Sequence, residues 1–239
     1  MKDFTVGISL RKCAPIATVL LLGSLCASAA LAGTVSGCAA AAFGPTPTNT
    51  VFPVDCTGMD AGTLEAWNSA SFTYTTTSGT NTGFVNSAVY DDGGTLDFYY
   101  QIVNDPNSAT ALARLTATDF AGFSTNSAYR TDGSSLTGTG FVDGATLPQT
   151  SDSNVDGSVI GFSFYPPTGP PTEIAPGDTS YVLIISTNAT LWQAGNASII
   201  DGGTDTVAAY QPGVPEPASL GLMGLGLIAL ASVRRRLLR

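Results

Sequence analysis

The chain has 239 residues, enough for one domain of ordinary size together with targeting segments. Its formal net charge is −9, and it contains no histidine. Between Gly33 and Gly213 there are two arginines, sixteen carboxylates and no lysine, which gives this stretch a net charge of −14. Such an acidic surface repels phosphate groups, so nucleic acid is excluded as a partner.

The first 32 residues are typical of a secretory signal peptide. A basic segment, MKDFTVGISLRK, precedes the apolar run APIATVLLLGSLCASAALA, and the small residues Ala30 and Ala32 precede Gly33. This order predicts cleavage by signal peptidase after Ala32 and a mature chain that begins at Gly33. A buried core helix is the alternative interpretation of the same run.

Residues 33–59 are rich in Ala, Gly, Pro and Thr, and we expect a loosely ordered N-terminal arm. Once the signal is removed, Cys38 and Cys56 are the cysteines that remain. In an oxidising compartment two such cysteines most simply pair, and the loop-entropy model gives their disulfide about 3 kcal/mol of stabilisation. Alternatively, the VSGC segment that ends at Cys38 is a lipobox with a lipidated cysteine, which leaves Cys56 alone.

The body, residues 60–212, has the alternation of β-strands. Its first segment, DAGTLEAWNSA, is compatible with a short helix, but the runs that follow alternate apolar and polar residues or are β-branched. In TLDFYYQIV, the side chains of Leu96, Phe98, Tyr100 and Ile102 fall on one face. The nearly all-apolar TSYVLIIST predicts a central strand. The other strand-like runs are SFTYTTT and SVIGFSFY.

Turn-forming residues separate these runs. Asp-Gly pairs begin at positions 92, 132, 143, 156 and 201, and the loop YPPTGPPTEIAPGD is stiffened by proline. The fold class predicted is therefore all-β: an antiparallel β-sandwich of about eight or nine strands. We expect it to be flanked by the N-terminal signal peptide and a C-terminal transmembrane helix.

The last segment, 213–239, has three parts. Pro215, Glu216 and Pro217 come first, the uncharged run 218–233 follows, and Arg234, Arg235 and Arg236 begin the arginine-rich end 234–239. As a helix, the uncharged run spans about 24 Å, enough for a thin bilayer. The positive-inside rule keeps the arginines in the cytoplasm as a membrane stop and leaves the body on the far side.

This tail closely resembles a PEP-CTERM sorting signal. The resemblance implies a Gram-negative bacterium in which exosortase, a membrane protease-transferase, recognises Pro215, Glu216 and Pro217. It also implies transient single-pass residence in the inner membrane, followed by transfer of the body to the cell surface or outside the cell. The same tail occurs on some ice-binding proteins, but a sorting signal does not indicate whether the body binds ice.

The composition argues against an enzyme and against a cofactor. Without histidine the chain lacks the commonest general base and the commonest transition-metal ligand, and without lysine in the body it lacks a Schiff-base candidate. No GxSxG, CxxC or phosphate-binding glycine loop is present. A glycosidase-like carboxylate pair is the remaining catalytic alternative, since sixteen acids bring some pair together.

Two binding alternatives stay open. Oxygen ligands on glycine-rich loops suit Ca²⁺, although Asp-Gly is also ordinary turn chemistry. The candidate calcium ligands are Asp91, Asp92, Asp97, Asp152, Asn154, Asp156, Asp201 and Asp205. A carbohydrate-stacking face is the second alternative, although strands favour aromatic residues anyway. Its candidates are Tyr74, Tyr90, Tyr99, Tyr100, Tyr129 and Trp192.

The interpretation that the sequence favours is an exported, non-catalytic protein of the cell surface or extracellular matrix, sorted by its tail. The alternatives are a binding module for extracellular polysaccharide or a partner protein, with or without calcium, and a secreted carboxylate hydrolase. A concave cleft with two facing carboxylates favours the hydrolase, whereas exposed coplanar aromatics favour the binding module.

Overall fold

The computed structural model describes residues 38–43, 49–166, 168–169 and 172–214. The predicted signal peptide and its cleavage site lie outside these ranges, as do the tail from Pro215 onward and the predicted membrane helix 218–233. Within the ranges described, no helix is both long enough and apolar enough to cross a membrane.

Regular structure in this part of the chain consists of strands and one turn of 3-10 helix, Gly133–Ser135. The strands are β1 (Ala41–Ala42), β2 (Asn49–Val51), β3 (Val54–Asp55), β4 (Thr63–Thr76), β5 (Gly79–Asp92), β6 (Thr95–Asn104), β7 (Arg114–Thr118), β8 (Thr125–Arg130), β9 (Thr150–Ser153), β10 (Val159–Ser163), β11 (Val182–Thr187), β12 (Trp192–Ile200) and β13 (Thr204–Pro212). The all-β prediction is confirmed, but these thirteen strands exceed the eight or nine expected.

The strands form two sheets. The seven-stranded sheet has the order β1-β8-β11-β6-β5-β4, with β3 also paired to β8, and the six-stranded sheet has the order β13-β12-β7-β10-β9-β2. Every pairing between named strands is antiparallel except that of β3 with β8. Strand β11 lies between β8 and β6 and is buried along its whole length, as its apolar run predicted.

The N-terminal arm accounts for part of the excess in strand number. Its short strands β1 and β3 pair with β8, and β2 pairs with β9. Strands of two or three residues are too short to show alternation, so the sequence pattern cannot reveal them.

The main core lies between the two sheets. Leu96, Phe98, Tyr100 and Ile102 enter it from β6, and buried side chains of β7, β10, β12 and β13 enter it from the other sheet. The face predicted for β6 is therefore the core face. Its opposite face is also buried, because Asp97, Tyr99 and Gln101 are covered as well.

A second cluster explains that burial. Here called the outer cluster, it lies on the face of the seven-stranded sheet that points away from the main core. The arm covers this face together with the segment 131–149. The buried members of the outer cluster are Cys38, Cys56, Ala61, Ala88, Tyr90, Tyr99, Ala128, Leu136, Phe141, Val182 and Ile184.

Cys38 and Cys56 form a disulfide, with their Cα atoms 5.6 Å apart. Both residues are buried in the outer cluster, and the backbone N–H of Cys56 donates to the carbonyl of Tyr129 on β8 (2.7 Å). The bridge therefore joins Cys38, which precedes β1, to Cys56, which follows β3.

The short helix suggested by DAGTLEAWNSA is wrong, since β4 begins at Thr63 and pairs with β5 over its whole length. The register shifts between Leu64 and Ala66, as in a β-bulge. The extra residue places Leu64 and Trp67 on the outer cluster, while Ala66 and Ala70 pack on the main core. Pairing and packing on both faces thus outweigh the helix propensity of Ala, Leu and Glu.

Candidate functional site

A cavity of about 400 Å³ lies at the edge of the outer cluster. It lies between the chain that precedes β4, the end of β5, the end of β8 and the 3-10 helix. The side chains that give it chemical character are those of Asp60, Tyr90, Arg130, Asp132 and Ser135.

Arg130 is the central group of this cavity. Its Nε and Nη2 atoms donate to the two carboxylate oxygens of Asp132 at 2.7 and 2.8 Å, and Nη2 also donates to Ser135 Oγ at 3.0 Å. Asp132 accepts a further bond from the backbone N–H of Gly58 (3.1 Å). Although burial opposes ionisation, the hydrogen bond and charge of Arg130 lower the pKa of Asp132. The ion pair thereby joins β8, the 3-10 helix and the arm.

Three polar atoms beneath the ion pair are buried without a hydrogen-bond partner among the residues described: Arg130 Nη1 and the hydroxyl oxygens of Tyr90 and Tyr99. The two tyrosine rings lie 4.7 Å apart between centroids. Burial raises the pKa of both phenols, and Arg130 acts against this without making a well-formed hydrogen bond. Tyr90 lines the cavity, and its phenol stays protonated at neutral pH.

The two carboxylates of the cavity are engaged in local contacts. Asp132 holds Arg130, and Asp60 Oδ1 accepts the backbone N–H of Gly62 at 3.0 Å. Gly62 has a φ of +82°, and a Cβ atom there would collide with the carbonyl of Asp91. The arrangement suits the ordering of a loop.

The candidate calcium ligands are dispersed over the fold. Asp97 is buried in β6 on the outer cluster, whereas Asp91 Oδ1 caps the turn after β5 by accepting Gly94 N–H at 2.6 Å. Asp152 forms a bidentate pair with Arg114 at 2.6 and 2.7 Å.

The remaining acids also act locally. Asp156 Oδ1 accepts the backbone N–H and the hydroxyl of Ser158 at 3.0 and 2.7 Å, and Asp205 Oδ2 accepts the backbone N–H of Thr73 at 2.7 Å. In the part of the chain that the structure describes, no three Asp, Glu or Cys side chains are grouped so that they could hold a metal ion.

The candidate aromatic face is divided between the two clusters. Tyr74 and Tyr100 lie in the main core and Tyr90 and Tyr99 in the outer cluster, all of them buried. Trp192 is exposed, but its ring stands edge-on to Tyr210 at an interplanar angle of 79°. Tyr129 is half-buried and stacks on Tyr181, with the ring centroids 5.6 Å apart and an interplanar angle of 13°. The six candidates are therefore distributed over separate parts of the fold, and Tyr129–Tyr181 is the partly exposed, nearly parallel pair among them and their neighbours.

The C-terminal end of the body is the part that bears on sorting. Strand β13 ends at Pro212, which pairs with Trp192, and the backbone N–H of Gly213 donates to Leu191 O at 2.7 Å. Val214 follows as an exposed residue. The predicted signal-cleavage residues and the sorting motif lie outside the described residues, as do the three arginines that end the tail.

Sequence reasoning missed the Arg130 ion pair, although a signal for it exists. Arg130 is one of two arginines in the body, and Asp132 follows it two residues later beside a glycine. A lone cation near the end of a strand in so acidic a segment suggests a paired, structurally important residue.

A comparison with protein families matches residues 213–236 to the PEP-CTERM protein-sorting motif. This finding confirms the resemblance inferred from the tail. It implies export, passage through a membrane and processing by exosortase before release to the cell surface. Neither the curated proteins nor the solved structures yielded a match to the chain.

Proposed function

We propose that the protein is a non-catalytic component of the cell surface or extracellular matrix, delivered there through its C-terminal sorting motif. The observation that carries the proposal is the motif match at residues 213–236. The matched segment begins at Gly213, directly after β13, so the sorting signal follows the folded body without a separate linker.

The contacts of the charged groups favour a role without catalysis. Both arginines of the body are in bidentate ion pairs, Arg114 with Asp152 and Arg130 with Asp132. Several acids cap turns by accepting backbone N–H groups. Because the sequence also lacks histidine, the usual partner for activating a nucleophile is missing.

In this proposal the three parts of the tail have separate tasks. Pro215 and Pro217 bar a regular helix through the motif and keep it extended for the processing enzyme. The run 218–233 holds the chain in the inner membrane until processing. The arginines resist being pulled through the bilayer, since each costs about 2.5–3.5 kcal/mol at its centre on insertion scales.

Replacement of Glu216 tests the proposal. Glu216→Ala should leave export and insertion intact but block processing, so that the chain cut only at its signal peptide accumulates in the inner membrane. Fractionation of the native host followed by immunoblotting measures this. Asp178→Ala is the control, because it removes a carboxylate at an exposed position of the body and should be processed normally.

The arginine variant separates anchoring from recognition. Replacing Arg234, Arg235 and Arg236 with Ser should let unprocessed chain slip into the periplasm, a different fraction from that expected for Glu216→Ala. If Glu216→Ala is processed like the unaltered chain, the motif is only a linker and the tail is a plain membrane anchor.

A further inference from the structure

Three exposed apolar residues lie at the point where the body joins its tail. Leu191 is 50 % exposed, Trp192 39 % and Val214 72 %. We refer to these three residues as the junction patch. Clustered exposure of apolar side chains is one sign of a surface that contacts a protein or a membrane.

The fold holds the patch in place. The 2.7 Å hydrogen bond from Gly213 N–H to Leu191 O fixes the last residues of the body against the loop before β12. The ring of Trp192 packs edge-on against Tyr210 of β13, with the centroids 5.1 Å apart. The contact at Gly213 is close, because a Cβ atom there would lie 3.2 Å from Leu191. Trp192 begins β12, and Leu191 and Val214 lie directly beside the paired ends of β12 and β13.

Chain length brings this patch to the bilayer. Three residues lie between Val214 and Ala218, where the uncharged run begins, so four Cα–Cα steps join the two. Fully extended, they reach at most about 14 Å. The headgroup layer on each side of the hydrocarbon is about 5–7 Å thick. With the run inserted, Val214 lies within about 14 Å of the start of the membrane span, close enough for the junction patch to reach the headgroups.

We propose that the junction patch is a membrane-contact surface, which enters the headgroup layer while the tail is inserted and holds the body against the bilayer. The inference rests on the proposed function, since it requires an inserted tail. Tryptophan suits this layer because its ring is apolar and its N–H is polar. Contact would also keep Pro215, Glu216 and Pro217 at the depth where a membrane enzyme reaches them.

The charges beside the junction patch indicate which lipid headgroups it contacts. Glu65 and Asp91 line a shallow depression of about 240 Å³ beside Leu191 and Trp192. These carboxylates repel anionic headgroups, so the contact must be apolar in origin. Binding to zwitterionic phosphatidylcholine should therefore withstand added salt, because apolar burial is not screened as charge pairs are.

The experiment measures tryptophan fluorescence in the full chain reconstituted into phosphatidylcholine vesicles that contain lipid brominated close to the headgroup. Trp192→Phe is the matched variant, because it leaves only Trp67, whose ring packs on Phe141 in the outer cluster. We expect strong quenching in the unaltered chain and little in Trp192→Phe. Equal quenching in both, or none in either, overturns the proposal.

A second variant distinguishes affinity from tethering. A flexible Gly/Ser insert of about ten residues between Val214 and Pro215 lets the body move away from the bilayer while the tail stays inserted. Quenching of Trp192 that persists in this variant supports a patch with its own affinity for the interface. Quenching that disappears overturns the proposal, because the tail alone then accounts for proximity.

Resistance of the reconstituted chain to alkaline extraction shows whether the tail is inserted. An inserted tail with unquenched Trp192 refutes the membrane-contact surface and leaves the proposed function standing. If the chain is extracted, the tail is not inserted, and this contradicts both the membrane-contact surface and the proposed function.

Discussion

At the scale of single residues, Asp97 is the most unusual group. It is the third residue of β6, it is 1 % exposed, and neither of its carboxylate oxygens makes a well-formed hydrogen bond. Burial raises its pKa to about 7, with Ser186 and the backbone of Thr187 acting against the rise. The acid is therefore largely protonated in the folded protein below neutral pH.

This pKa gives a prediction with a definite sign. In the unfolded chain Asp97 ionises near its ordinary value of 3.8, so between about pH 4 and pH 7 the folded state holds a proton that the unfolded state has lost. Its contribution to the free energy of unfolding therefore falls as pH rises through this window. Asp97→Asn should remove that dependence and stabilise the protein at about pH 8, by up to ~4 kcal/mol.

Urea unfolding at a series of pH values measures the effect. Asp178→Asn is the control, because Asp178 is exposed at a turn. Identical pH profiles for Asp97→Asn and the unaltered chain would show that Asp97 ionises in the folded protein as it does in the unfolded one.

At the scale of elements, the notable feature is how the edge strand β13 is protected. Its outward carbonyl groups accept side-chain bonds from the other sheet: Tyr100 Oη donates to Tyr210 O at 2.6 Å and Asn68 Nδ2 to Ala208 O at 2.9 Å. In return, Tyr210 Oη donates to Trp67 O on β4 at 3.0 Å. The two bonds between β4 and β13 join the edges of the two sheets, and Tyr100 reaches β13 from an interior strand. Together they cover an edge that would otherwise be open to pairing with other chains.

Tyrosine-to-phenylalanine substitutions test this account. Tyr100→Phe leaves the carbonyl of Tyr210 without its buried donor and should lower the free energy of unfolding by about 1–3 kcal/mol. Tyr99→Phe is the matched control: Tyr99 neighbours Tyr100 in β6 and is equally buried, but its hydroxyl has no well-formed hydrogen bond among the described residues. It should be neutral or slightly stabilising.

Chemical denaturation of both variants gives the comparison. Equal losses would mean that the hydroxyl of Tyr100 contributes no more than that of Tyr99, and that packing alone closes this side of the fold.

At the scale of the whole molecule, the seven-stranded sheet is covered on both faces, once by the six-stranded sheet and once by the arm and the segment 131–149. The disulfide holds the arm in this second layer, and the Arg130–Asp132 pair fixes the loop beside it. The outer layer is thus secured by one covalent bond and one ion pair, over a rather small apolar cluster.

Removal of the disulfide should loosen that layer. Cys38→Ser with Cys56→Ser opens a loop with a sequence separation of 18 residues and should lower the free energy of unfolding by about 3 kcal/mol on the loop-entropy model. Denaturation curves measure this loss. Binding of an apolar dye would report exposure of the outer cluster.

Treatment with reductant provides the control. The reduced, unaltered chain should have the same free energy of unfolding as the double variant, and reductant should not change that of the double variant. Mass spectrometry of non-reduced peptides from exported protein should find Cys38 linked to Cys56, and two free thiols there would contradict the bridge.

The sequence by itself determined the sorting tail, the all-β class, the core face of β6 and the central position of β11. Each depends on local order: a linear motif, the two-residue period of strands, or an unbroken β-branched run. Only the tertiary structure decided that DAGTLEAWNSA pairs as a strand, that the arm joins both sheets, and that Asp97 and Tyr99 are buried on a second covered face. It also separated the candidate calcium ligands and aromatics, assigning most of them to turns, ion pairs and cores. The physical reason is that burial and partnership depend on segments distant in the chain, since Cys56 meets Tyr129 and Tyr100 meets Tyr210 only when the sheets assemble.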